Sequence, residues 1–483
     1  MIELKCIGHS AEYEITNVIN LFEPYITKDY VLEVTFESPL ASAKLLEGTQ
    51  VITEATFEMP ISDDALKNKK QMKQALKKAV YTVLSEVSGR KMPWGSLTGI
   101  RPTKLVHEQF KHHLSDAEIA KHMQEEYFVS PSKCEMMIKV AKAEREILAK
   151  NKPDEISLYI GIPFCPTRCV YCSFTAYSLK TKGNLVDAYL EALCKEITAV
   201  ANMKKDAKIR SLYIGGGTPT SLNEVQLERL LEHVAKSFDL SQIDEYTIEA
   251  GRPDTITKDK LRIMKEQGVG RISINPQSMR QKTLDAIGRA HSTEDIKRVF
   301  HEARELGHTE INMDMILGLP GETVEDVAYT LEELGKLGPE NITVHTMAIK
   351  RASRLKEELR EGEGNIVLTQ GEVIQEMLSL CEEKMAQLGL EPYYMYRQKN
   401  MLGNFENVGY AVPGTECVYN IEIMEEKQSI IALGAGAITK LVYSDLARIE
   451  RVANVKSLED YINRIDEMIE RKRVGFYNQE NNI

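Results

Sequence analysis

Between about residues 155 and 390, six short apolar runs alternate with six segments of helical periodicity, and no other feature limits the fold as strongly. The runs are Leu158–Ile162, Ser211–Ile214, Glu245–Ile248, Arg271–Ile274, Glu310–Ile316 and Ile342–Thr346. The amphipathic segments are 184–203, 223–237, 257–267, 293–306, 324–337 and 369–388. Strands alternating with helices at this spacing build βα units on a parallel sheet. Six units, where a closed barrel has eight, predict an α/β fold with a partial barrel. Right-handed crossovers gather every strand C-terminus on one rim, and in such architectures the rim carries the chemistry.

The flanks read differently. Tyr30–Glu37 alternates Tyr30, Leu32, Val34 and Phe36 with Glu33, Thr35 and Glu37, which predicts a half-buried strand, with Val51–Glu58 as its partner. Residues 63–87 form a helical pattern with Ser62 as the expected N-cap. This helix carries Lys67, Lys69, Lys70, Lys73, Lys77 and Lys78, which read as a solvated face or as a surface for an anionic partner. Two further helices are expected over 115–127 and 131–150. Past residue 390, Glu391–Met401 is aromatic and basic, Ile430–Ala437 is a buried strand entering a glycine turn, and Ser457–Arg473 is an amphipathic helix. The expected domains are an N-terminal α/β accessory domain (1–150), the barrel (151–390) and a mixed α/β C-terminal lid extension (391–483).

The chain of 483 residues carries 61 Lys+Arg against 72 Asp+Glu, a net charge of −11, which argues against a general nucleic-acid coat. It has no apolar run of about 18 residues, so no membrane span is expected. The N-terminal MIELKCIGHSAEYE lacks the apolar core of a signal peptide, and a cytoplasmic, thiol-reducing location is expected.

Three of the 8 cysteines fall within eight residues, as Cys165, Cys169 and Cys172, just after the first barrel strand. Three thiolates on one tight loop suit a soft-ligand metal. A structural zinc site needs four ligands, and no fourth Cys or His lies nearby. Three thiolates fit a [4Fe–4S] cluster with one iron left open. An open iron can take a small chelator with an amine and a carboxylate, such as S-adenosylmethionine, which the reduced cluster can split into methionine and a carbon radical.

Other rim residues agree. Gly215-Gly216-Gly217-Thr218-Pro219 ends the second strand, Glu249 ends the third, and Gln277 follows the fourth. Arg289 lies in Ile-Gly-Arg-Ala-His, and Asp314 is on the fifth strand before Gly318-Leu-Pro-Gly321. Each alone is compatible with a structural role. Together they offer backbone access, a carboxylate for ribose hydroxyls and a guanidinium for a carboxylate.

The cluster loop, GGGTP, Glu249, RISINPQS, IGRAH and DMILGLPGE together resemble radical S-adenosylmethionine enzymes, most closely the oxygen-independent coproporphyrinogen III dehydrogenase group. Ile-Pro-Phe-Cys-Pro-Thr-Arg-Cys and Trp94-Gly-Ser-Leu-Thr-Gly-Ile-Arg-Pro are similar to its HemZ-type branch. The resemblance implies a partial (βα)6 TIM-like barrel and three cluster ligands, Cys165, Cys169 and Cys172. It implies one S-adenosylmethionine site touched by Tyr159, Gly216 and Glu249. A second is implied at Tyr171, Gly217, Thr218, Gln277, Arg289, Asp314 and Ala348. The implied reaction turns coproporphyrinogen III propionates into vinyls, with an external electron donor such as flavodoxin or ferredoxin. Lys350, Arg351, Arg354, Arg397 and Lys399 are candidates to bind the propionates, since Arg forks suit carboxylates.

The chain also departs from its relatives. Phe174 stands where the known dehydrogenases have a fourth Cys, and Gly161 where they have a His. Phe174 moves the chain towards the haem-chaperone branch, which carries a C-terminal His-Asn-x-x-Tyr-Trp motif. Here the only Trp is Trp94, and the matching region reads Cys417-Val-Tyr-Asn-Ile-Glu. Three functions therefore compete: the dehydrogenase, a haem-binding chaperone, and a radical methyltransferase acting on haem.

Overall fold

The computed structural model describes residues 2–99, 101–173, 176–348, 371–397, 405–443 and 448–481. The chain divides into two compact units, Met1–Ala141 and Lys142–Ile483.

In the first unit, β1 (Ile2–Ile7), β2 (Tyr30–Glu37), β3 (Leu40–Glu47) and β4 (Gln50–Glu58) form one sheet in that order. β1 runs parallel to β2, and the other pairs are antiparallel. Helices Glu12–Phe22 and Ala65–Ser88 supply Ile15, Phe22, Leu76 and Val80 to a core shared with Leu32, Val34 and Leu45. β2 therefore pairs with β1 and β3 and not directly with the expected Val51–Glu58 segment. The strand between them, LASAKLLE, lacks β-branched and aromatic residues and carries no strand signal. The long helix is capped by Asp64, whose carboxylate accepts from the N–H groups of Leu66 and Lys67. Ser62, the expected cap, is bonded to Asn68 instead. Half of the lysine face is solvated: Lys67, Lys69 and Lys70 are exposed, whereas Lys73 pairs with Glu14 and Lys78 with Glu126.

In the second unit, β5 (Glu155–Ile162), β6 (Lys208–Gly216), β7 (Glu245–Gly251), β8 (Arg271–Ile274), β9 (Glu310–Leu317) and β10 (Asn341–Thr346) lie side by side in chain order, all parallel. The main helices between them are Val186–Met203, Glu224–Ser237, Lys258–Glu266, Thr293–Glu305 and Val324–Leu337, with a short one at Gln281–Ala286, and Gly371–Gln387 comes after the sixth strand. Their starts are readable because Asn223, Ser292 and Thr323 each form a capping box with the side chain three residues on.

Among the described residues the six-strand run does not close on itself. β11 (Glu391–Tyr396) and β12 (Asn407–Ala411) extend it beyond β10, where β12 pairs antiparallel. β13 (Ile430–Leu433), β14 (Ile438–Tyr443) and β15 (Arg448–Ala453) extend it beyond β5. The segment after residue 390 thus adds strands to both edges of the barrel sheet. Tyr159 of β5 and His345 of β10 line the same cavity. In a flat sheet five strand steps would separate them by roughly 24 Å, so the sheet is curled. Where one helix was expected over 457–473, two follow each other, Leu458–Asn463 and Ile465–Glu480. No helix among the described residues is long and apolar enough to cross a membrane.

A buried charged network ties the last helix to the barrel. Glu196 and Lys472 are both fully buried, with Nζ 2.6 Å from Oε1. The same carboxylate accepts from Asn454 (2.8 Å), the Tyr461 hydroxyl (2.5 Å) and the Gly434 N–H (2.9 Å). Removing one member leaves a buried charge without its partner, which typically costs about 3–5 kcal/mol. Lys472→Met should therefore lower the urea midpoint of unfolding sharply, and the double variant E196Q/K472M should recover part of the loss.

Candidate active site

The cysteine loop begins where β5 ends. Phe164–Cys165 pairs with Tyr177–Ser178, and the Tyr177 N–H donates to the Pro163 carbonyl at 2.7 Å, which closes the loop at its base. Inside it, the Cys172 N–H donates to the Cys169 carbonyl at 3.1 Å, and the Val170 N–H to that of Ile287 at 3.2 Å. Cys169 is buried, and Cys165 and Cys172 are half-buried. Burial pushes the Cys165 thiol up to about 11, against a hydrogen bond with the Thr218 hydroxyl at 3.4 Å. Metal binding at such a thiol displaces its proton.

The glycine end of β6 passes directly beneath this loop. The Gly217 N–H donates to the Ile162 carbonyl and the Thr218 N–H to that of Phe164, both at 2.8 Å. A Cβ on Gly217 would meet the Phe164 oxygen at 2.6 Å and the Cys165 sulfur at 3.0 Å. Gly216 turns the chain with φ +113, a conformation that side chains disfavour. Together they leave a cradle whose space any larger residue would fill.

Two carboxylates on the rim have opposite environments. Burial pushes Glu249 up to about 7, partly offset by a 2.6 Å hydrogen bond from the Tyr213 hydroxyl, with the Asp314 charge adding to the rise. Burial would also raise Asp314, but His345 and then Asn312 and Thr343 hold it below its ordinary value. The Asn312 amide donates to Asp314 at 2.8 Å. Carboxylates driven apart in this way suit different tasks at one pH.

Gln277 has a left-handed backbone with φ +69, held because its N–H donates to the Asp314 carbonyl (2.9 Å) and its own carbonyl accepts from Ile316 (3.0 Å). Such an over-determined outlier is typical of functional positions. Arg289 is buried and donates to the Asn275 carbonyl. Among the described residues, its Nε and the Asn275 Oδ1 have no hydrogen-bond partner, and both residues line the cavity. Buried polar atoms left open beside a cavity are what a polar ligand would satisfy.

All thirteen cluster and S-adenosylmethionine candidates line this one cavity of about 510 Å³. The donor set, the glycine cradle and the open polar atoms fit a thiolate-held cluster with a chelating ligand beside it. Lys350, Arg351, Arg354 and Lys399 lie outside the described residues, as does Phe174. Arg397 is buried near Glu406 and is not among the cavity-lining side chains, and burial pulls its guanidinium down to about 10. Cys417 is buried with its thiol 3.3 Å from Glu245.

Sequence reasoning missed several lining residues. Tyr419 stacks on Tyr213 with ring centroids 4.4 Å apart, and Tyr159 stacks on both. Tyr419 sits on the helix Val418–Glu425, where nothing in the local pattern marks it. Arg252, one residue past β7, was findable only as a cation on the rim.

Residues 159–334 match the model of the radical SAM superfamily. The oxygen-independent coproporphyrinogen-III oxidase-like protein HemZ of Bacillus subtilis is 40% identical over 410 residues, covering 83% of this chain and 81% of that protein. The heme chaperone HemW of Bacillus subtilis is 31% identical over 58% of this chain and 70% of its own. The solved coproporphyrinogen III oxidase (HemN) of Escherichia coli, described as a radical SAM enzyme, superposes with a TM-score of 0.54 at 26% identity, covering 68% of this chain and 73% of that one.

Because the folded state holds the Glu249 proton more tightly than the unfolded chain, stability falls as pH rises from about 4.5 to about 7 and levels off above. Glu249→Gln removes this loss. In the cluster-free protein, the Tm advantage of the variant should grow across that window and stay constant above it.

Proposed function

We propose that this chain, which belongs to the radical S-adenosylmethionine superfamily and within it to the oxygen-independent coproporphyrinogen-III oxidase-like (HemZ) family, converts two propionates of coproporphyrinogen III to vinyls without oxygen. The observation that carries this reading is the convergence of three cysteines, the glycine cradle, Glu249, Gln277, Arg289 and Asp314 on one cavity. The family brings a [4Fe–4S] cluster and S-adenosylmethionine. Held by these residues, a reduced cluster would supply the electron that cleaves S-adenosylmethionine to methionine and a 5′-deoxyadenosyl radical.

Cys165, Cys169 and Cys172 would hold three irons. Tyr159, Gly216 and Glu249 would hold the S-adenosylmethionine nearest them, with the Glu249 carboxylate accepting from ribose hydroxyls. Tyr171, Gly217, Thr218, Gln277, Arg289, Asp314 and Ala348 would hold a second, the Arg289 fork taking a carboxylate. Each propionate would give a β-hydrogen atom to the 5′-deoxyadenosyl radical, forming 5′-deoxyadenosine, and then lose carbon dioxide and pass one electron to an external one-electron acceptor, and two rounds would lead to protoporphyrinogen IX. The stacked tyrosines Tyr159, Tyr213 and Tyr419 line one wall and would help to keep water from the reacting carbon. Lys350, Arg351 and Arg354 follow β10 in the chain and would offset the substrate's negative charges. An external flavodoxin or ferredoxin would deliver the electron to the cluster.

The anaerobically reconstituted protein, given coproporphyrinogen III, S-adenosylmethionine and dithionite, should release carbon dioxide, 5′-deoxyadenosine and a vinyl-bearing tetrapyrrole. Cleavage of S-adenosylmethionine without that product removes the dehydrogenase reading. Stoichiometric haem binding or methyl transfer to haem would replace it with the chaperone or the methyltransferase. Cys169→Ala should lose the cluster colour and all turnover.

A second test concerns the substrate end. Charge reversal at Arg351 or Arg354 should raise the KM for coproporphyrinogen III and leave S-adenosylmethionine binding intact. An unchanged KM removes these residues from the substrate site.

A further inference from the structure

We propose that Arg252 is a positioning residue that braces the cysteine loop and makes the cluster easier to reduce; this rests on the reading that Cys165, Cys169 and Cys172 hold a [4Fe–4S] cluster. Arg252 is buried, at 3% exposure, just beyond the end of β7. One side of its guanidinium is locked in a two-point ion pair with Asp254, with Nε to Oδ1 at 2.9 Å and Nη2 to Oδ2 at 2.8 Å. His291 stands 3.5 Å from the same carboxylate.

The remaining nitrogen faces the cysteine loop. Nη1 donates to the Thr167 hydroxyl at 2.8 Å, to the Thr167 carbonyl at 3.2 Å and to the Cys169 sulfur at 3.9 Å. Its position is set by the planar fork, since the bidentate grip on Asp254 fixes where Nη1 points. A lysine could carry the charge but could not make both sets of contacts.

The three cysteines are therefore not equivalent. The Cys165 sulfur has a hydroxyl neighbour in Thr218, whereas the Cys169 sulfur has a cationic donor. The Arg289 charge also acts on Cys169. Adding one electron to a thiolate-held cluster adds a negative charge to its sulfurs. A buried cation hydrogen-bonded to one of them stabilises that state more than the oxidised one, and so raises the reduction potential. Asp254 moderates the effect by balancing the guanidinium charge. The external donor named above supplies the electron, and no bond is made or broken at Arg252.

The test is a redox titration of the reconstituted full-length protein with dithionite and mediators, followed by the paramagnetic resonance of the reduced cluster, with iron and sulfide counted in each sample. R252Q should titrate at a more negative potential than the unaltered protein, with R252K between the two. D254N should shift the other way, because the guanidinium charge is left uncompensated. Equal midpoints at equal iron content would overturn the proposal, as would R252Q and D254N moving in the same direction. If R252Q holds no iron, the order of R252K, unaltered protein and D254N decides the matter in the same way. An unaltered protein that assembles no cluster overturns the cofactor reading itself, a result distinct from unchanged midpoints.

Discussion

Two backbone hydrogen bonds join the glycine end of β6 to the start of the cysteine loop, from Gly217 to Ile162 and from Thr218 to Phe164. The rest of the site depends on them. They set the height of the loop above the sheet, and they require a residue without Cβ at position 217, because any side chain would strike the Phe164 carbonyl or the Cys165 sulfur. Once the loop is held there, the other strand ends need only present side chains to the same space. Glu249 and Asp314 do so from β7 and β9, and Gln277 does so from the segment just past β8.

The electrostatics of the cavity follow from burial and from local partners. Glu249 and Asp314 are both half-buried carboxylates, yet one is pushed up to about 7 and the other is held low. The difference lies in what faces each: a tyrosine hydroxyl beside Glu249, and an imidazole, an amide and a hydroxyl beside Asp314. The cations that line the cavity near the loop, Arg168, Arg252 and Arg289, are set against a chain of net charge −11. Local placement outweighs the total, because interactions inside a buried cavity are screened far less than those across the surface.

The barrel was legible because its signals are strong and local. Apolar strand runs and helical periodicity place the strands of all six units to within three residues and the helices to within about two. Most of the rim residues were legible for the same reason, since Gly216, Gly217, Thr218 and Glu249 sit at or beside strand ends, whereas Arg289 lies between the helices Gln281–Ala286 and Thr293–Glu305. Elsewhere the signals were weak or misleading. β3 has the composition of a helix or loop and becomes a strand because it pairs on both sides. The choice of Asp64 over Ser62 as the cap turned on which side chain reaches the free N–H groups, and both residue types are good caps. Arg397 was a candidate to bind a propionate, but it is buried near Glu406 and does not line the cavity.

Local pattern by itself determined the βα alternation, the three thiolates on one loop and the polar inventory of the rim, because covalent spacing and periodicity act over short stretches of chain. Only the tertiary structure decided that strands after residue 390 extend both edges of the sheet, that Tyr419 completes a tyrosine stack, and that Arg252 points at Cys169. Those contacts join distant residues: Arg252 and Cys169 are 83 positions apart, and Ile430 pairs with Ser157 across 273 positions. Such pairs are brought together by the curl of the sheet and the burial of apolar surface, which no short segment encodes.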